Sequence, residues 1–304
     1  MIEEMGGDFL QWLRGFYYVA KRGSVTLAAR EMGRNQPTIS HQIKCLENEF
    51  GVTFFDRSSG KMELTPEGRV FLGKTISLFE IIKEMKSDIE EDNLSKKGRV
   101  VIATTHAISN YFLPSFIVCF KKDYPEVNFD IEGGGLNMIL AKLESAEADF
   151  GIANLDNVPE TLVYNPLFET RLKLIAQKNN PFFSDQVPSI EQISKVPFIF
   201  FPRSSTITPL IERKFSEKDL RLNVVMILNN YVEVKKYVEL GIGVSILDGY
   251  TLTEEDKNRL DIFPLDPFFG KRKYGLIFRK RKYLSPAVKA FIRSIKPDTH
   301  FKPV

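Results

Sequence analysis

The chain has 304 residues, 43% of them hydrophobic and 27% charged, which is enough apolar material for about two to three domains and excludes a disordered or low-complexity protein. Its 42 Lys and Arg against 39 Asp and Glu leave a formal net charge of only +3, so bulk charge argues for no partner and any nucleic-acid surface must be arranged locally. Two cysteines, Cys45 and Cys119, exclude a disulfide framework and point to a reducing compartment.

The first residues, MIEEMGGD, contain no apolar stretch of the kind that exports a protein, and no run approaches the roughly 20 apolar residues that span a membrane. A cytoplasmic chain without membrane contact is the expectation. Between residues 8 and 65 three short helical patterns follow one another. Phe9, Leu13, Phe16 and Ala20 share a face that ends near Gly23. Ser24 reads as the N-cap of a helix through Leu27, Ala28 and Met32, stopped at Gly33. Ile39, Ile43, Leu46 and Phe50 form the apolar stripe of the third, stopped at Gly51. Two helices joined at a Gly-containing turn, the second rich in polar surface residues, is the helix-turn-helix pattern. VTFFDRSSGKMELT (52–65) reads as a β-hairpin turning at Ser-Ser-Gly.

The third helix begins GRNQPTISHQIKCLE. Gln36, Pro37, Thr38 and Ser40 crowd its first turns, and His41, Lys44 and Asn48 lie opposite the apolar stripe. A helix that enters the major groove reads base edges with its first turns. Gln can pair with adenine, Ser or Thr with base or phosphate, and Pro can meet a thymine methyl. The same small polar residues would also serve as ordinary caps on a solvated helix.

A long helix is expected from Pro66 to about Asn93, with Thr65 as N-cap and Glu67 in the first turn. Phe71, Thr75, Leu78, Ile82, Met85 and Ile89 alternate steps of four and three, the spacing of a coiled-coil seam that pairs two helices. Leu72, Ile76 and Phe79 form a second stripe, expected to face the first domain. DNLSKKG (92–98) reads as a linker.

Beyond it, strands RVVIA (99–103), VNFDI (127–131), DFGIA (149–153), LKLIA (172–176), PFIFF (197–201), VVMIL (224–228) and VSIL (244–247) alternate with helices over 108–122 and from Leu136, Pro209 and Tyr231. That order predicts βαβ units and a mostly parallel sheet. In such sheets ligands gather at the carboxyl ends of the strands. Here those ends carry Thr104, Thr105, His106, Gly133, Gly134, Asn154, Ser204, Ser205, Thr206 and Asp248. Hydroxyls and free amides at helix starts suit an anion, although each could equally cap the helix that follows. No nucleophile and base are set together, the histidines 41, 106 and 300 lack metal spacing, and GGG (133–135) lacks the Lys of a phosphate loop, so no catalytic residue, metal or cofactor is expected. Lys271, Arg272, Lys273, Arg279, Lys280, Arg281 and Lys282 flank YGLIF and read as a solvated strand edge.

Residues 23–72, with the "AA" pair, "QPTIS", "LE..FG..FF.R" and "LT..G" in order, resemble the winged helix-turn-helix of the LysR-type transcriptional regulators. The resemblance implies an α/β protein with an N-terminal winged helix-turn-helix (8–65), a linker dimerisation helix (66–94) and a two-lobed effector domain (97–304) built like a periplasmic binding protein. Lobe one would be about 97–167 with 269–304, and lobe two about 168–268. It implies that Gln36, Pro37, Thr38, Ser40 and His41 approach the major groove and that Arg57 is a wing residue near the minor groove or backbone; Lys44, on the same polar face of the helix, is a further DNA-binding candidate. His41 stands where most members carry Arg or Lys. "ATTHA" followed by "FLP" is similar to the sulfur-assimilation (CysB-like) subgroup, in which hydroxyls and an amide hold a sulfate-type oxyanion, and Thr105 matches one of those positions. Ala107 and Ile108 do not, so a related cleft with a larger or less charged ligand is expected. The implied partners are duplex DNA, a small effector with anions among the candidates, and a second copy in a homodimer or homotetramer. The rival reading is a cytoplasmic solute-binding protein or enzyme with an incidental helical N-terminus, and salt-dependent binding to duplex DNA separates the two.

Overall fold

The computed structural model describes residues 8–56, 62–89, 97–183, 187–280 and 282–299. The chain divides into one unit of Met1–Glu91 with Arg281–Tyr283 and a second of Asp92–Lys280 with Leu284–Val304.

In the first unit, α1 (Phe9–Arg22) ends where Gly23 turns left-handed at φ 60°, a conformation that glycine adopts without strain. Helix α2 (Val25–Glu31) starts where the Ser24 side chain accepts the Leu27 amide, and α3 (Gln36–Phe50) ends at Gly51. Strands β1 (Phe55–Asp56) and β2 (Glu63–Leu64) pair antiparallel and lead into α4 (Pro66–Ile89), whose first turn is capped by the Thr65 hydroxyl accepting the Gly68 amide. The Ser-Ser-Gly turn of the expected hairpin lies outside the described residues. Leu13, Phe16, Val19, Ile39, Ile43, Leu46 and Phe54 form the core. Helices α1 and α3 cross closely at Gly15, where any side chain would collide with that of Gln42.

Two expectations for α4 and α3 need correction. Phe71 and Thr75 do not sit on a free helix seam. The Phe71 ring stacks on Phe54 at 4.2 Å and meets Phe16 and Phe50 edge-on, and Thr75 is buried. With Leu72 and Phe79 they belong to the inner face of α4, which completes the first unit's core. Phe50, read as part of the apolar stripe, is nearly half exposed at the margin of the same aromatic cluster. Among the described residues, α4 leaves the apolar side chains Val70, near its start, and Leu78, Ile81 and Met85, further along, exposed to solvent.

The second unit contains a five-stranded sheet in the order β4-β3-β5-β12-β6. Strand β3 (Lys97–Thr104) runs parallel to β4 (Glu126–Gly133) and β5 (Phe150–Asn154). Strand β12 (Arg272–Arg279) runs antiparallel between β5 and β6 (Leu162–Thr170). Helices α5 (His106–Tyr111), α6 (Leu113–Asp123), α7 (Leu136–Glu144) and α12 (Pro286–Ile295) accompany it. A second set of strands has β7 (Leu172–Gln177) between β10 (Ser245–Asp248) and β11 (Leu260–Pro264), both antiparallel to it. Strand β8 (Pro197–Phe200) pairs parallel with β9 (Asn223–Ile227) and bridges to Val244 just before β10. Helices α8 (Ile190–Ser194), α9 (Ile207–Ser216), α10 (Tyr231–Glu239) and α11 (Glu254–Arg259) accompany these strands.

The sheets are therefore mixed and not mostly parallel, because β12 returns through the middle of the first and β7 is flanked by antiparallel partners. The helix expected over 108–122 is two helices, broken at Phe112 just ahead of Pro114, whose ring disfavours helical backbone before it. YGLIF lies on the central β12 and not on a sheet edge. Among the described residues no helix is long and apolar enough to cross a membrane.

Candidate functional site

Helix α3 is held in place by its apolar side. Ile39, Ile43 and Leu46 are fully buried, and Glu47 turns inward to accept the Phe54 amide at 2.9 Å. Gln36, Pro37, Ser40, His41 and Lys44 are all exposed on the opposite side, together with Asn48. The N-cap is Asn35, which the sequence reading passed over. Its Oδ1 accepts both the Thr38 amide at 2.9 Å and the Thr38 hydroxyl at 2.6 Å. Thr38, half-buried, is thus committed to holding the start of the helix. Gln36 accepts a long hydrogen bond from the Thr26 hydroxyl at 3.4 Å, and His41 Nε2 lies 3.4 Å from Cys45 Sγ one turn on. An open groove of about 1190 Å³ is lined by Ser40, His41 and Lys44 of α3 and by Thr53 and Asp56. Arg57 lies outside the described residues, as does His300.

In the second unit the strand-end residues part company. Thr104 is buried and its hydroxyl donates to the Ile152 carbonyl at 2.8 Å, pinning β3 to β5. Asn154, also buried, donates to the Lys273 carbonyl and accepts the Asp156 amide. Both side chains are engaged in the framework. Thr105 caps α5 by accepting the Ile108 amide at 3.3 Å. His106 lies against Gly133, where a Cβ would meet its ring nitrogen at 2.5 Å, and the Gly134 amide donates to the Thr104 carbonyl. Ser205 closes a turn on the Pro202 carbonyl. A Cβ on Gly135 would come within 3.3 Å of the Ser204 carbonyl oxygen, so the loop after β4 touches the loop after β8.

Thr206 and Asp248 belong to a buried cluster. Thr206 starts α9 without capping it and instead accepts a hydrogen bond from Arg272 Nη2 at 2.7 Å. Arg272 Nη1 donates to Asp248 Oδ2, which also accepts the Tyr274 hydroxyl at 2.9 Å and, at 3.4 Å, the Tyr231 hydroxyl. Asp248 is fully buried and Arg272 is 2% exposed. The pair joins β12 of the first sheet to β10 of the second. Arg272 is the chief omission of the sequence reading, which placed it in a solvated basic run. The available signal was alternation: Arg272 and Tyr274 are two apart and so share one face of a strand.

Burial raises the phenol pKa of Tyr231 and Tyr274, and the Asp248 charge raises both further. Burial does the same for Tyr250, again with Asp248 adding to it. Burial alone would lower that of Arg272, but the Asp248 charge prevails and raises it. The phenols are therefore neutral hydrogen-bonding groups and the guanidinium keeps its charge. A second buried pair lies nearby in the chain: Lys235 Nζ donates to Asp256 Oδ2 at 2.6 Å and to the Thr251 carbonyl at 3.0 Å, and sits 4.5 Å from the centre of the Tyr111 ring on α5. No group of three or more metal-ligating side chains occurs among the described residues.

Comparison with known proteins places both units. Residues 10–69 match the model of the bacterial regulatory helix-turn-helix protein, lysR family, and residues 94–299 match that of the LysR substrate binding domain. The HTH-type transcriptional activator CmpR of Synechocystis sp. is 29% identical over 280 residues, covering 91% of each chain. The RuBisCO operon transcriptional regulator of Allochromatium vinosum is 27% identical over 288 residues, covering 93% of each. Among solved structures, a full-length OxyR variant of Pseudomonas aeruginosa superposes with a TM-score of 0.74 at 18% identity over 94% of each chain. The cofactor-binding domain of the Cbl transcriptional regulator superposes with a TM-score of 0.62 at 25% identity, over 69% of this chain and 92% of that one.

Proposed function

Because this chain belongs to the LysR family of bacterial transcriptional regulators, it is a DNA-binding regulator with an effector-binding domain and not an enzyme, and we propose how its residues divide that work. Residues 8–65 form the DNA-binding domain, 66–94 the linker helix and 97–304 the effector domain, with lobes of about 97–167 plus 269–304 and 168–268. Gln36, Pro37 and Ser40 read bases, while His41, Lys44 and the wing residue Arg57 meet the backbone. The observation that carries this reading is the continuous exposed stripe from Gln36 to Lys44 on a helix whose other face is fully packed. Thr38 contributes indirectly, by fixing the helix start.

The effector site lies around Thr105, Thr206 and Asp248, with His106, Gly133, Gly134, Ser204 and Ser205 at the loops that enclose it. The hydroxyls of the strand ends suggested an anion, whereas the buried charges favour an uncharged effector. Leu78, Ile81 and Met85 on α4 supply the apolar surface for a second copy in a homodimer or homotetramer. We place the protein in the cytoplasm, where its DNA target lies. The likeness of "ATTHA" to the sulfur-assimilation subgroup draws support from the Cbl domain, while CmpR and the RuBisCO regulator are similar over more than nine-tenths of the chain. We therefore take the fold, and neither subgroup's ligand, as the guide.

Duplex-DNA binding over a salt series tests the division of labour. Gln36→Ala and Ser40→Ala should each relax discrimination at one base pair by about 1–3 kcal/mol, whereas Lys44→Ala should weaken all sequences alike and flatten the salt dependence. Equal losses on specific and random DNA for Gln36→Ala would remove it from the base-reading set.

A further inference from the structure

Two buried polar atoms of the Asp248 cluster, Asp248 Oδ1 and Arg272 Nε, have no hydrogen-bond partner among the described residues, and the buried Tyr250 hydroxyl beside them interacts with Tyr274 and Thr105 without filling its hydrogen-bonding capacity. From this set, and resting on the reading of the second unit as effector-binding, we propose that the effector is an uncharged, hydroxyl-rich small molecule, a sugar or polyol, and not an oxyanion.

Arg272 is the cluster's one cation, and it is already paired with a carboxylate that is itself fully buried. An oxyanion that displaced Asp248 would leave that carboxylate buried and unpaired, and one that joined it would set two negative charges side by side away from water. The three phenols add hydrogen bonds but no charge, since burial and the Asp248 charge raise their pKa values. The cluster as a whole is neutral.

Asp248 Oδ1 can only accept, Arg272 Nε can only donate, and the Tyr250 hydroxyl can do either. A ligand hydroxyl carries one donor and two acceptor lone pairs, so neighbouring hydroxyls on one carbon chain can meet a carboxylate and a guanidinium together. Sulfate offers acceptors alone and has nothing to give Asp248. Phe168 lies parallel to Tyr274 at 5.3 Å, and Tyr250 meets both rings edge-on at 5.3 and 5.2 Å. Aromatic walls with a few convergent polar groups suit a ligand with apolar C–H faces and polar edges. The Gly135–Ser204 approach brings the loop after β4 against the loop after β8.

The test uses the full-length chain, in thermal-shift and calorimetric titrations. The probes are common hexoses, pentoses and linear polyols, set against sulfate and inorganic phosphate balanced with chloride at equal ionic strength. At least one sugar or polyol is expected to stabilise the wild type saturably, while sulfate and phosphate do not. Tyr250→Phe should then weaken that compound's binding about tenfold, the effect of one lost hydrogen bond. Asp248→Asn, where it folds, should turn the preference toward sulfate, because its guanidinium is no longer balanced. Stabilisation by sulfate or phosphate alone, a panel with no effect on the wild type, or unchanged sugar binding in Tyr250→Phe would each overturn the proposal. Salt-dependent DNA binding measured on the same preparation reports separately on the regulator reading, and its loss would count against that reading whatever the sugars do.

Discussion

Asn35 shows how much a single side chain outside the readout stripe governs it. By accepting both the amide and the hydroxyl of Thr38, it satisfies one of the free donors at the start of α3 and fixes the turn that carries Gln36 and Pro37. Asn35→Ala should lower stability by about 1 kcal/mol in urea unfolding. It should also weaken DNA binding without touching a base, and an unchanged unfolding midpoint would show the cap to be unimportant. Asp256 makes a second test at this scale. Burial pushes its pKa up, but the Lys235 ammonium and the Thr253 amide and hydroxyl outweigh burial and hold it below the usual carboxylate range. A lowered folded-state pKa means that the ionised form stabilises the fold above the unfolded pKa, and that this contribution fades as pH falls through the folded value. The stability gap between wild type and Asp256→Asn should therefore be constant from neutral pH down to about 4 and shrink below it. A gap that widened on acidification would contradict the pairing.

At the scale of elements, α4 has two faces with different duties. Its inner face, through Phe71, closes the aromatic cluster of Phe16, Phe50 and Phe54, and its outer face presents Leu78, Ile81 and Met85. Phe71→Ala should destabilise the first unit by about 3 kcal/mol or more, the range for emptying an aromatic site. Leu78→Glu with Met85→Glu should leave its unfolding midpoint nearly unchanged but shift sedimentation toward the monomer. A dimer surviving in that double variant would place the pairing surface elsewhere. The sequence made the helix itself plain, through Thr65, Pro66 and the apolar spacing, but not the allotment of its faces. A seam and a core stripe share the same period, and only the packing of Phe54 and Phe16 decides which residues belong to which. The same holds for β12. Its apolar run was visible, but whether Arg272 faced water or core depended on the strands that flank it. Residues whose role is set locally, such as the cap Ser24 and the helix end Gly23, were legible. Asn154, Thr104 and Arg272 were not, since their partners lie many tens of residues away.

For the whole molecule, regulation requires that an effector favour one arrangement of the second unit over another, for only a difference in affinity between two states can shift them. The Arg272–Asp248 pair joins strands of the two sheets and the Lys235–Tyr111 contact joins α10 to α5, helices that accompany them, so both are part of what such a difference would act upon. The route of the chain carries a further consequence, for the order of assembly. Strands β7 to β11 follow one another without interruption, whereas the first sheet begins with β3 and is closed only when β12 enters between β5 and β6. Asn154 on β5 donates to the Lys273 carbonyl, 119 residues further on. As the chain leaves the ribosome, the edge of β5 that β12 will cover therefore stays open until β12 has been made, while the intervening strands can already pair among themselves. Until then an unpaired strand edge is exposed to other nascent chains, and the closing of the first sheet is a long-range, slow event. It is also the event that brings Arg272 to Asp248, so the buried cluster forms only after β12 has been made.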